Sequence, residues 1–379
     1  MKKLPVHLLF FLLLFTTSSF SQDNGEGKII VQKFLAPSIQ NNKGGEDANR
    51  RLTIYLPAGY DKSNQHYPTI YFLHGFASDD TEMMKWLGFK SLMDSAIKSG
   101  KMRPMILVLP NSDTKYRGSF YTNSVLTGNW ADYIGKDLVN YIDKNFRTIP
   151  HRESRGLCGH SMGGNGSLKI AMLYANVFST VYAMSPGGMH FSDEFQVNHK
   201  SLKILSQVKN MDSLLKKATP STSFEEFPFF EMVFASLARA YSPNEKNKLL
   251  QADLPVRYEG KNMILNLDVL KKWEANFNIN MAEDYVAALK SLRALKIDWG
   301  RNEEFTHIPK TNLQFSKKLE AFGITHFAEE YIGDHVNKLA GFDGRIYTEL
   351  LPFFNTYLKF DEPTSMPSKF KEKIEKKMN

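Results

Sequence analysis

Three features of this sequence predict an α/β fold with a mostly parallel central sheet and helices on both faces. Strand-like and helix-like segments alternate along most of the chain, the order that builds parallel sheets. Two of the strand candidates, Tyr67–Leu73 (YPTIYFL) and Met105–Leu109 (MILVL), are continuous apolar runs, as strands covered on both faces require. A glycine-rich hexapeptide, Gly159 to Gly164, lies between a short strand and a helix.

The remaining elements follow in order. Lys28 to Phe34 and Arg51 to Leu56 read as strands joined by the Asn/Gly-rich turn around Asn41 to Gly45. Helical spacing covers Glu82 to Ser99. Asp132 to Phe146 places Ile134, Leu138, Tyr141 and Ile142 on one helical face. Arg155 to Cys158 is a short strand, Gly163 to Tyr174 a helix, and Phe178 to Met184 a strand closed by Ser185-Pro186-Gly187-Gly188. Late in the chain come a strand at Ala294 to Ile297, a helix at Asn312 to Phe322, a strand at Thr325 to Ile332 and a helix at Arg345 to Leu358. Between them, Met189 to Arg293 breaks the alternation. It is rich in lysine and phenylalanine and shows no clear strand, so we read it as an inserted helical cap.

Composition sets the outer bounds. The 379 residues are 42% hydrophobic and 23% charged, an ordinary globular mixture that argues against global disorder. Lys2, Lys3 and the apolar run Leu8 to Phe15 read as a secretory signal peptide over residues 1–21, too short to span a bilayer. The expected location is therefore secreted or periplasmic, with no stable membrane insertion after cleavage. The single cysteine, Cys158, rules out an internal disulfide and reads as a small core residue. The net charge of +8, two of which are Lys2 and Lys3, does not call for a nucleic-acid partner. Part of it sits in a basic tail at 361–379, beyond a main domain at 22–360.

The hexapeptide Gly159-His160-Ser161-Met162-Gly163-Gly164 carries the chemistry. A sharp strand-to-helix turn leaves no room for side chains at 159 and 163. It lifts the hydroxyl of Ser161 to a helix N-terminus, where negative charge is favoured. A serine hydroxyl needs a base, and the base an orienting acid. In a strand–elbow–helix hydrolase these follow the serine in the order acid, then histidine. His307, His326 and His335 are late enough. We favour His335, on a loop leaving a strand at the carboxyl end of the sheet, where ligands bind. The acid should lie on Asp298-Trp299-Gly300-Arg301-Asn302-Glu303-Glu304, and spacing alone leaves Asp298, Glu303 and Glu304 open. For the oxyanion, the amides of Met162 and Phe76 are the expected donors, the latter because Gly75 allows close backbone approach. His74 reads as a structural loop residue. Trp130 and Tyr121 read as scaffold aromatics more readily than as substrate contacts.

On these residues the chain resembles the esterase D-like branch of the α/β-hydrolases. That branch includes S-formylglutathione hydrolases, feruloyl and acetylxylan esterases, enterochelin esterases and mycolyltransferases. The resemblance is carried by Leu52–Tyr60, Tyr67–Gly75, Gly118–Asp132, Gly159–Gly164, Asp298–Phe305 and Gly333–His335, in that order. It implies the α/β-hydrolase fold, a catalytic set of Ser161, His335 and Glu303, and no metal or organic cofactor. Glu303 stands where the branch usually has aspartate, although the mycolyltransferases similarly use glutamate. The implied activity is carboxylic ester hydrolysis through an acyl-enzyme, on a small-molecule or polysaccharide-linked ester of feruloyl or acetyl type. Two rivals stand beside it: transfer of the acyl group from the same acyl-enzyme to a sugar hydroxyl, and a non-catalytic carbohydrate-binding or scaffold protein on a hydrolase fold.

Overall fold

The computed structural model describes residues 25–361 apart from 220 and 224. The expected signal peptide and nearly all of the basic tail lie outside the described residues. Eight strands form one sheet: β1 (Lys28–Leu35), β2 (Asn49–Leu56), β3 (Thr69–Leu73), β4 (Ile106–Pro110), β5 (Arg155–His160), β6 (Thr180–Met184), β7 (Ala294–Gly300) and β8 (Phe327–Tyr331). Their spatial order is β1-β2-β4-β3-β5-β6-β7-β8. Only the β1–β2 and β2–β4 pairs are antiparallel, and every pair from β4 to β8 is parallel. This is the α/β-hydrolase arrangement.

The apolar run of β3 is explained by its neighbours. Tyr71 and Leu73 enter one core cluster with Ile54, Val108 and Leu157, whereas Ile70 and Phe72 enter another with Leu107 and Cys158. Successive side chains point to opposite faces, so a strand covered on both must be apolar at every position. Cys158 is fully buried, as read from the sequence.

Several boundaries depart from the sequence reading. The helix expected over Glu82 to Ser99 is two helices, Asp80–Trp86 and Phe89–Lys98, because Gly88 between them takes a left-handed conformation at φ 66°. The strand expected to stop at Ile297 continues through Gly300. The inserted stretch is not strand-free. Besides helices such as Lys200–Gln207, Phe229–Tyr241 and Leu267–Asn276, it holds a hairpin of Val256–Glu259 and Asn262–Leu265. The insertion also shares a core with the sheet, since Phe234, Trp273 and Phe277 belong to the cluster containing Tyr71 and Leu73. Hydrogen bonds join the two layers, Ser236 Oγ to Tyr116 O at 2.6 Å and Ser124 Oγ to Arg239 O at 2.9 Å.

Candidate active site

The loops after β3, β5, β6, β7 and β8 leave the same, carboxyl, ends of parallel strands, and Phe76, Ser161, Glu303 and His335 sit on them. Ser161 falls between β5 and the helix Met162–Leu173, with φ 58° and ψ −118°. Such a backbone costs a non-glycine residue on the order of 1–3 kcal/mol and persists only where its surroundings hold it. Here the Ser161 amide donates to Met184 O at 2.9 Å. Its carbonyl accepts from Asn165 N at 3.0 Å and Gly187 N at 3.2 Å. The flanking glycines are sterically required. A Cβ on Gly163 would lie 1.9 Å from Leu73 O, and one on Gly159 2.4 Å from the Gly163 carbonyl carbon.

His335 and Glu303 are brought together by backbone pairing between the loops after β7 and β8. Arg301 N donates to Tyr331 O at 2.8 Å and Asn302 N to Gly333 O at 2.9 Å. That approach needs glycine at 300, whose Cβ would stand 2.4 Å from Gly333 O. The result is a 2.6 Å contact between His335 Nδ1 and Glu303 Oε2, with the glutamate side chain wholly buried. The other two acids do different work. Glu304 accepts the His335 backbone amide at 3.3 Å rather than the ring. Asp298 is not on a loop: it is buried within β7 and paired with Arg345, whose Nε lies 2.8 Å away, and with the Tyr182 hydroxyl.

The other histidines are equally distinct. His326 bonds Ser316 Oγ at 2.8 Å and Ile324 O at 2.9 Å. His74 is enclosed. Its Nε2 accepts from Ser112 N at 2.8 Å, its Nδ1 lies 2.8 Å from Gly75 O, and burial pushes its pKa down to about 4. It therefore stays neutral near pH 7, and Tyr121 OH donates to its carbonyl at 2.9 Å. This clamp fixes the turn into Phe76. A Cβ on Gly75 would make ordinary contacts of 3.6 Å with Ser161 Cβ and His160 O, so the turn lies directly against the elbow. Tyr121 and Trp130 are fully buried; the Trp130 indole donates to Thr127 O at 2.9 Å.

Two features were not foreseen from the sequence. His160, the residue before Ser161, holds the His335 loop: its Nε2 donates to His335 O at 2.8 Å and the two rings lie 4.6 Å apart. Burial, then the proximity of His335, push its pKa down to about 3, so it stays neutral and donates. The second is another histidine–glutamate pair. His307 Nδ1 lies 2.6 Å from Glu194 Oε1, its Nε2 accepts from Gly188 N at 3.2 Å, and its ring stacks on Phe195 at 5.1 Å. Against the upward push of burial, His307 and Thr306 hold Glu194 below the usual carboxylate range.

Ser161, His160 and His335 line one cleft of about 1250 Å³, with Phe76 and Phe305 on its walls. Among the described residues no group of three or more His, Cys, Asp and Glu side chains is placed to hold a metal ion, and no helix is long and apolar enough to cross a membrane.

Residues 46–224 match the family described as "Putative esterase". An esterase of Mycobacterium tuberculosis is 32% identical over 142 residues, covering 36% of this chain and 29% of that protein. An endo-1,4-beta-xylanase/feruloyl esterase of Xylanibacter ruminicola is 28% identical over 150 residues, covering 38% of this chain and 20% of its own length. The chain thus spans less than a third of either curated relative. Among solved structures, a ferulic acid esterase aligns with 88% of this chain and 100% of its own, at a TM-score of 0.58 and 19% identity. An S-formylglutathione hydrolase from Agrobacterium tumefaciens aligns with 88% of this chain and 97% of its own, at a TM-score of 0.55 and 14% identity. At such identities the likeness shows the shared α/β-hydrolase fold.

Proposed function

From the match of residues 46–224 to this esterase family, we propose that the chain is a serine carboxylic ester hydrolase acting through an acyl-enzyme. The observation that carries the reading is the 2.6 Å Glu303–His335 contact at Nδ1, with His335 and Ser161 lining one cleft. A ring bonded at Nδ1 to a buried carboxylate presents Nε2 as the proton acceptor, the tautomer a serine nucleophile needs.

In the first half-reaction Ser161 Oγ bonds the ester carbonyl carbon as its proton passes to His335 Nε2. The resulting oxyanion takes hydrogen bonds from the amides of Met162 and Phe76, each donor contributing roughly 3 kcal/mol. Met162 opens its helix, so its amide has no acceptor within that helix. The bond from carbon to the alcohol oxygen then breaks, and His335 returns its proton to that oxygen. Water repeats the sequence on the acyl-enzyme, releasing the acid and free Ser161. No redox change occurs and no metal or cofactor is needed.

The substrate reading is an acyl ester of feruloyl or acetyl type on a carbohydrate, met outside the cytoplasm. It is supported by the xylanase/feruloyl esterase named among the relatives and by the signal-like first 21 residues. Turnover of p-nitrophenyl acetate and of acetylated xylo-oligosaccharides tests it. The expected result is hydrolysis that Ser161→Ala abolishes; equal rates in that variant would overturn the assignment.

A further inference from the structure

Two cavities meet at Ser161, and they differ in which catalytic group they share. The large cleft of about 1250 Å³ includes His335 but not Met162. A second cavity of about 40 Å³ includes Met162, Gly187 and His307 but not His335. Phe76, Phe229, Phe230 and Phe305 line both. The smaller cavity reaches the nucleophile itself, since a Cβ on Gly187 would lie 3.7 Å from Ser161 Oγ and 4.0 Å from His307 Nε2.

The chemistry assigns the two. Collapse of the tetrahedral intermediate requires a proton on the leaving oxygen, and His335 supplies it. The alcohol half must therefore lie on the side that His335 lines. The acyl half extends away from that oxygen, past the oxyanion donor Met162, into the smaller cavity. Resting on the esterase reading above and narrowing its feruloyl-or-acetyl class to the acetyl side, we propose that this chain is specific for short acyl groups of two or three carbons, and that its large cleft receives the alcohol.

Size decides the acyl class. A water molecule needs roughly 10–15 Å³ of such space, so about 40 Å³ admits roughly three or four groups of that size. An acetyl or propionyl chain fits; a feruloyl ring does not. The walls are not readily displaced. Phe195 is buried and stacks on His307 at 5.1 Å and on Phe234 at 5.2 Å, and His307 is held by Glu194 at 2.6 Å. Val233, on the insertion helix Phe229–Tyr241, closes another side. Glu194, Phe195 and Val233 all lie in the insertion, so the inserted stretch sets the acyl length while Gly187 and Gly188 after β6 and the start of the helix after β7 supply the floor.

The test is an acyl series at constant alcohol: p-nitrophenyl acetate, propionate, butyrate and octanoate, with methyl ferulate against methyl acetate. A methylene that cannot be accommodated changes discrimination by about 10–200-fold. We expect kcat/KM to fall at least tenfold between propionate and butyrate and further for octanoate, with ferulate far below acetate. Val233→Ala, a small truncation, and Phe195→Ala, a larger one, should move the optimum toward longer chains. Octanoate or ferulate esters turned over as fast as acetate by the wild-type protein would overturn the proposal. So would an acyl profile unchanged by both truncations in folded protein. Absence of turnover with every ester would instead remove the esterase reading on which it rests.

Discussion

Two histidine–glutamate pairs flank Ser161, and they differ in what the second ring nitrogen meets. In both, Nδ1 lies 2.6 Å from a glutamate oxygen and the imidazole is nearly buried. At His307, Nε2 already accepts the Gly188 amide. At His335 no backbone donor among the described residues fills the position, and the ring lines the open cleft. A histidine acts as a base through a free lone pair, so the proposed mechanism gives the serine proton to the His335 pair. The His307 pair is a wall. Burial and a carboxylate partner do not make a catalytic base; the use of the far nitrogen does.

The largest expected effect is on the pair assigned to catalysis. Ser161→Ala and His335→Ala should each lower kcat for p-nitrophenyl acetate on the order of 10⁶-fold, whereas His307→Ala should change it by about tenfold or less. A collapse in His307→Ala with near-normal His335→Ala would reverse the two roles. Next, Glu303→Gln should cost on the order of 10⁴-fold, because an amide at that site disfavours the required tautomer. Glu194→Gln should cost about tenfold or less. Comparable losses in the two variants would erase the distinction. Smaller again is His160→Gln, which weakens one hydrogen bond to His335 O. A loss of about tenfold in kcat with KM little changed is expected; a rise in KM alone would place His160 in substrate binding instead.

A last prediction contrasts these paired rings with the two histidines kept neutral by burial. His74 and His160 have pKa values of about 4 and about 3 in the folded chain, below the ordinary 6.5. From pH 6.5 downward the unfolded chain binds protons that the folded chain refuses. Stability is therefore full above pH 6.5 and falls through pH 4, by at most about 1.4 kcal/mol per pH unit for each ring. Urea midpoints at pH 7 and 4.5 should show a smaller acid loss for His160→Gln than for the wild type. An equal loss in both would contradict the linkage.

The parts of this account legible in the sequence are those governed by local sterics and by order along the chain. Gly159 and Gly163 could be read because a strand-to-helix turn forbids a Cβ there, and the structure shows backbone atoms within 2.4 Å of where each would be. His335 could be placed because it follows the last strand. What stayed open depended on contacts between distant segments. Choosing among Asp298, Glu303 and Glu304 requires knowing that β7 runs on to Gly300 and that Gly300 meets Gly333, neither of which spacing reveals. Glu194 and His307 are 113 residues apart and carry no shared motif. His160 occupies a position where the elbow tolerates many side chains, so its bond to His335 O, 175 residues away, leaves no sequence mark. The break at Gly88 was visible as a glycine, but its left-handed φ depends on how the two short helices pack.

Covalent labelling tests the central claim most directly. Treat the wild-type chain, His335→Ala and His307→Ala with a fluorophosphonate probe, and map the adduct by peptide mass spectrometry. The account predicts a single adduct on Ser161, formed rapidly by the wild type and His307→Ala and lost in His335→Ala. Labelling of Ser161 that survives His335→Ala and disappears in His307→Ala, or an adduct on another residue, would contradict it.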